Sequence, residues 1–316
     1  MESSFSLPAD LAGSVDAHRA KKVAAIDAVL ARLPGADRYE WGGLACADLP
    51  LRYALAHHVV EAVGRAASAG DAEAVTAALA LRTSQDILRP VRALDGPVLV
   101  AHPDKELFAE DKALADAPVA IVSASVCGSA GETDRGLVTR ALGAAAKAGF
   151  GATVSRNSKV VVLIAERRPT DTTIRSWTTN ALPATVHLDY FAEHWYVSRD
   201  LIHEAAHTEL NDLFAAFGVE FPAGMNFFAP WLATERPVFG FLHGAWAFSH
   251  VALYSAWLAD EAEAPDDVQA LSSAIHLKHA EQIRQAREDV ERALELVPSP
   301  ELADLIRSYV TRAAAD

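Results

Sequence analysis

The sequence predicts a mainly helical α+β fold: helices, a small mixed β-sheet in the middle, then a C-terminal helical bundle. Three observations predict it. Ala-rich segments with helical apolar spacing fill the first ninety residues. Four short β-branched runs lie between Pro97 and Leu188. Three long helical patterns occupy the stretch from Ser198 to Leu296. With 316 residues, 51% of them hydrophobic, the chain can bury a large core, which a disordered protein cannot do.

Each element follows from local signals. Val15 to Leu33 places Val23, Ile26, Leu30 and Leu33 at helical spacing and stops at Pro34-Gly35. A loop with Trp41-Gly42-Gly43 follows. Leu51 to Ala69 and Asp71 to Leu81 are helices parted by Gly70. Strands are expected at Pro97–Ala101, Val119–Val126, Val160–Ala165 and Thr185–Leu188, with a helix over Leu137–Ala148. Ser198–Phe217, Phe241–Leu258 and Asp267–Leu296 complete the set, with Gly218 and Pro298 as stops. The organisation is a helical N-terminal subdomain, 1–90, and a mixed α+β unit, 91–316, which together can form one continuous domain.

Charge and cysteine content bound the function. The net charge is −14, so a nucleic-acid reader and a protein docked on anionic lipid are both disfavoured. Cys46 and Cys127 are the two cysteines and form no CxxC, which points to a reducing, cytoplasmic setting. Met1 to Asp10 lacks a basic and apolar leader pattern, and no run reaches the roughly 18 apolar residues of a membrane span.

The stretch that carries chemistry is His203-Glu204-Ala205-Ala206-His207, an H-E-x-x-H string inside a helical pattern. Residues four apart stack on one helix face about 6 Å apart, so His203 and His207 can take adjacent positions on one metal ion. Glu204 sits roughly 100° round the helix and reaches a metal-bound water rather than the metal. Leu210, Phe214 and Phe217 continue the histidine face, which directs the pair into the protein. The bland alternative is an exposed helix with two surface histidines in a chain that has 12. A metal site needs a third protein ligand. The metzincin continuation is absent from Thr208–Phe214, and Glu220 and Glu235 have no helical context for a thermolysin-like ligand. His243 and His250 lie seven apart, about 10.5 Å in rise, too far for one ion. His243, beside Gly244 at a helix start, is the third-ligand candidate; His250 reads as a core histidine.

The segment from Asp189 to Val251 resembles the HExxH-type 2-oxoglutarate-dependent peptide β-hydroxylases found with ribosomal peptide natural products. The resemblance rests on Leu201-Ile202-His203-Glu204-Ala205-Ala206-His207-Thr208-Glu209-Leu210, on Ala229-Pro230-Trp231, and on Arg236-Pro237-Val238-Phe239-Gly240-Phe241-Leu242-His243-Gly244. It covers about 60 of the 316 residues. It implies an Fe(II) site on His203, His207 and His243, 2-oxoglutarate as co-substrate, and hydroxylation of an aliphatic carbon, the β-carbon of an amino acid or peptide residue. Arg236 matches the family's arginine and would hold the distal carboxylate of 2-oxoglutarate through its guanidinium fork. A structural salt bridge is the alternative for Arg236. Glu204 would orient a ligand or a water. Three histidines depart from the common two-His, one-carboxylate iron set.

A second function class stays open, a Zn(II) hydrolase with Glu204 as general base; a third is a binding protein with an accidental motif. Other signals read as structural. His187-Leu188-Asp189 puts two ligand types on one strand face, but a jelly-roll iron site needs about eight strands and four are legible. Gly128 to Gly136 reads as a loop without a phosphate-binding pattern. His57-His58 reads as surface or packing. Trp231, Phe227 and Phe228 either line a pocket or belong to the core.

Overall fold

A computed structural model describes residues 5–35, 38–83, 88–93, 96–109, 117–168 and 175–315. The first four residues of the Met1–Asp10 stretch lie outside it. The fold is mainly helical with a small mixed sheet. It begins with α1 (Ala9–Leu30), α2 (Gly43–Ala47), α3 (Leu49–Ser68) and α4 (Ala72–Ala80). Asp48 starts α3 by accepting the Leu51 N–H at 2.7 Å, and Asp71 starts α4 by accepting the Ala74 N–H at 2.9 Å. Gly70, at φ +71°, turns the chain between them.

The middle comprises β1 (Val91–Ala93), β2 (Gly96–Ala101), the short pair β3 (Phe108–Ala109) and β4 (Val119–Ala120), α5 (Ala124–Gly128), α6 (Glu132–Lys147), α7 (Gly151–Asn157), β5 (Val160–Glu166), β6 (Ser176–Thr179) and β7 (Leu182–Tyr190). The main sheet has the order β1-β2-β5-β7-β6. Its centre, β2, β5 and β7, is parallel; β1 and β6 are antiparallel edges. Period-two alternation splits the central strands between two cores. Val98, Val100, Val161 and Leu163 face α6 and the C-terminal helices, while Leu99, Ala101, Val160 and Val162 face α3 and its neighbours. Burial on both faces explains why these strands read as unbroken apolar runs.

The C-terminal part consists of α8 (His194–Ala216), the hairpin β8 (Asn226–Ala229) and β9 (Thr234–Pro237), then α9 (Val238–Ala259), α10 (Asp266–Leu294) and α11 (Pro300–Ala313). Helix α8 ends at Gly218, at φ +60°. It packs against α1, α6, α7, α9 and the β6–β7 side of the sheet. No helix among the described residues is long and apolar enough to cross a membrane.

Two expectations need correction. The strand expected over Val119–Val126 is a strand only at Val119–Ala120 and becomes helix α5 at Ala124. The Val122 N–H is taken by His58 Nδ1, and Ser123 Oγ accepts the Val126 N–H at 3.1 Å, a helix cap. The loop expected over Gly128–Gly136 shrinks to the few residues between α5 and α6. Asp134 accepts the Gly131 N–H at 2.8 Å and starts α6 before Gly136. Helices α7 and α11, strands β1 and β6, and the β8–β9 hairpin add to the elements expected from sequence.

Candidate metal centre

Helix α8 is buried on nearly every side, and its half-exposed His203, His207 and Asn211 face a cavity of about 860 Å³. The His203 and His207 rings are 4.7 Å apart and perpendicular, with Nε2 to Nε2 3.2 Å. Helix α9 brings His243 to the same cavity. Its ring lies 5.6 Å from that of His207, with Nδ1 to Nδ1 3.3 Å. Phe239, with its ring 4.2 Å away, and Phe214, at 5.7 Å, wall in His243.

Nitrogens bound to one ion at about 2.1 Å stand roughly 3.0–3.4 Å from each other. The His203–His207 separation is therefore already that of two ligands on one ion. His207 turns Nε2 to His203 and Nδ1 to His243, so the three nitrogens do not meet at one point. Among the described residues no group of three or more His, Cys, Asp or Glu side chains is gathered around a common position. The donor chemistry nevertheless suits a first-row divalent ion. Burial holds all three imidazoles neutral: His207 is lowered to about 4, and His203 and His243 fall well below the ordinary histidine value. The buried Nε2 of His243 has no hydrogen-bond partner among the described residues, a deficit a ligand would remove.

Glu204 is 3% exposed and turns towards the edge strand. Ser176 Oγ of β6 donates to its Oε1 at 2.7 Å, and that oxygen lies 4.0 Å from His203 Nε2. Burial raises its carboxyl to about 8, opposed by the Ser176 hydrogen bond. Glu204 is thus a cavity-wall group at the height of the His203 nitrogen.

The β8–β9 hairpin supplies the opposite wall, and two glycines of α9 explain how. A Cβ on Gly244 would stand 2.2 Å from Trp231 Nε1, so glycine there admits the indole against the helix backbone. Trp231 then stacks on Phe241, 5.5 Å between rings, and approaches Phe248 at 5.8 Å. A Cβ on Gly240 would stand 3.1 Å from the Arg236 guanidinium, so the second glycine admits the arginine. The spacing Arg236-x-x-x-Gly240 and the pair Trp231/Gly244 are therefore one packing device. It lays an indole and a guanidinium along the first turns of α9, beside His243. Arg236 lines the histidine cavity and has no carboxylate partner among the described residues.

The remaining sequence candidates fall outside the cavity. His187 Nε2 accepts the Ala120 N–H at 3.0 Å, and Asp189 pairs with Arg167 at 3.1 Å, so both serve the sheet. His250 is fully buried, with Nδ1 on the Trp246 carbonyl at 2.9 Å and its ring against Tyr309. His58 is fully buried between Thr185 and Val122, and His57 packs edge-on against Tyr53. Glu220 and Glu235 are exposed and line no part of the cavity. Of the three aromatics, Trp231 lines it, Phe227 is core and Phe228 is exposed.

No protein-family model matches the chain, and no curated protein is found to be similar to it.

The residues absent from the sequence reading come mainly from β6 and its turn. Ser176, Trp177, Thr178, Thr179 and Asn180 all line the cavity. The signal was a short one: Trp-Thr-Thr, then Asn180, then the run that becomes β7, which is hairpin chemistry. Asn211, one further turn along the His203–His207 face, and Phe239 and Phe248, flanking His243 on α9, also line it.

Proposed function

We propose that the chain is an Fe(II)- and 2-oxoglutarate-dependent hydroxylase acting on an aliphatic carbon of an amino acid or peptide residue, cytoplasmic and tied to natural-product modification. The observation that carries the reading is the Arg236 guanidinium, without a carboxylate partner among the described residues, on the wall of a cavity that also holds three neutral imidazoles, with His207 in contact with both His203 and His243. A dianionic co-substrate with one end at the histidines and its distal carboxylate at Arg236 suits that pairing of groups.

His203, His207 and His243 would hold the iron, on the HExxH helix packed against the C-terminal bundle. Bound iron with 2-oxoglutarate supplies oxygen activation, coupled to decarboxylation of the co-substrate to succinate. The chain's own residues do the positioning. Arg236, seated against Gly240, anchors a carboxylate. Trp231, Phe239 and Phe248 give apolar walls that exclude water from the reacting carbon. Glu204, fixed by Ser176, orients a water or a ligand from the side. Strand β6 is an edge of the sheet and borders the cavity, a setting in which an extended peptide can lie along the strand, which favours a peptide over a free amino acid.

The test is titration calorimetry of 2-oxoglutarate into anaerobic, Fe(II)-loaded protein. Wild type should bind it, and Arg236→Ala should weaken binding by roughly tenfold or more, the worth of one charge-assisted pair. Equal affinity in both proteins would remove the reading.

One observation favours a zinc hydrolase instead. Glu204 Oε1 stands 4.0 Å from His203 Nε2, within reach of a metal-bound water, beside an edge strand able to hold a peptide. In that case activity would need Zn(II) and Glu204 and ignore 2-oxoglutarate, and Arg236→Ala would leave the turnover number intact.

A further inference from the structure

A second cavity, sharing no residue with the histidine site, lies where α6 meets the edge strand β1. It has a volume of about 670 Å³ and is lined by four arginines: Arg89, Arg92, Arg135 and Arg140. Glu132 is the one carboxylate among the described residues of its lining. In a chain of net charge −14, four guanidinium groups around one hollow are a local reversal of sign.

Their bonding separates one anchor from three heads that have no carboxylate partner among the described residues. Arg135 is spoken for: it donates to the Ala130 carbonyl at 2.7 Å and pairs with Glu132 at 3.0 Å. Arg89, Arg92 and Arg140 are exposed and have no carboxylate partner among the described residues. The backbone is arranged to present them. Arg89 sits at φ +45°, a left-handed conformation that a side-chain-bearing residue adopts at a cost, just before Pro90. The Arg140 guanidinium lies along α6 over Gly136, at ordinary contact distance from where a Cβ would stand there. Like charges gathered around a hollow repel one another, and a multivalent anion in the hollow reverses that repulsion.

We propose that this cavity binds a small phosphoryl-bearing anion, with a pyrophosphoryl or similarly dense group held by Arg89, Arg92 and Arg140. Guanidinium forks match phosphate oxygens in pairs. The volume suits a molecule of nucleotide or sugar-phosphate size. An extended anionic partner is disfavoured, because the rest of a −14 chain repels a lipid surface or a nucleic-acid backbone. The site is independent of the iron reading.

The experiment is calorimetry of inorganic pyrophosphate into the full chain at low and at high salt. Wild type should bind it, more weakly at high salt, and Arg92→Gln/Arg140→Gln should lose roughly tenfold or more in affinity. Both side chains are exposed, so the double variant should keep the wild-type melting temperature. Arg236→Ala should bind pyrophosphate as wild type does, which separates this site from the histidine cavity. Absence of binding at low salt, or undiminished affinity in the double variant, would overturn the proposal. So would binding of citrate with equal affinity, or of phosphatidic acid vesicles without binding of pyrophosphate.

Discussion

Replacing Arg19 with methionine tests how the motif helix is held. Arg19 is fully buried on α1, yet its partners lie on three other elements. Its Nη2 is 2.6 Å from Asp212 Oδ2 on α8, its Nη1 donates to the Arg156 carbonyl at 3.0 Å, and its third partner is Asn157 Oδ1 on α7. Tyr53 of α3 donates to the other Asp212 oxygen at 3.1 Å, and its ring lies 5.3 Å below the guanidinium. Asn157 in turn donates to Glu209 at 3.2 Å, so the network reaches within two residues of His207. Arg19→Met keeps much of the stem and removes the charge. It leaves a 4%-exposed carboxylate without its cation and two oxygens without a donor. Breaking such a buried pair costs about 3–5 kcal/mol. For a chain of this size that is a fall in melting midpoint of roughly 4–8 °C. Urea denaturation followed by circular dichroism reads the loss. Arg19→Met/Asp212→Leu, which removes both charges, should regain most of it. A loss below about 1 kcal/mol, or a double variant no better than the single one, would refute the reasoning.

Further outcomes follow from other sites. Gly244→Ala should drive Trp231 off α9; overpacking of about 1–3 kcal/mol is offset by about 1 kcal/mol of helix preference. The net loss should therefore be at most about 2 kcal/mol, while tryptophan fluorescence and any cavity-dependent activity change sharply. His58 and His187, fully buried, are lowered to about 3 by loss of hydration. The unfolded chain then binds protons first, so stability is intact above about pH 6.5 and is lost as pH falls towards 3, by up to about 1.4 kcal/mol per unit for each histidine. Urea midpoints at pH 7 and pH 5 measure this, and His58→Gln should flatten the slope. Burial pushes the Cys127 thiol up to about 12 while Cys46 is exposed. A disulfide reagent should label Cys46 in the native protein and reach Cys127 only on unfolding.

Long periodic segments were legible in the sequence because packing follows their periodicity. Helices α1, α3, α8, α9 and α10 and strands β2, β5 and β7 all stand where apolar spacing, Gly and Pro put them. The H-E-x-x-H face and the placement of His243 near its helix start were likewise legible. Strand β6 was not, because an edge strand on a cavity carries Ser, Trp and Thr rather than an apolar run. The Val119–Val126 segment misled for a related reason: its apolar residues are buried by tertiary contacts, while His58 and Ser123 decide its backbone. The roles of Gly240 and Gly244 were invisible as well, since a glycine gives no sign of which distant side chain lies against it.

The central claim is tested most directly by succinate. The anaerobically purified chain is loaded with Fe(II), given 2-oxoglutarate and oxygen, and assayed with and without a panel of short peptides, beside His203→Ala. The account predicts succinate from wild type, stimulated by a peptide, and none from the variant. No succinate from the iron-loaded wild type, together with peptide cleavage that needs zinc and Glu204, would contradict it.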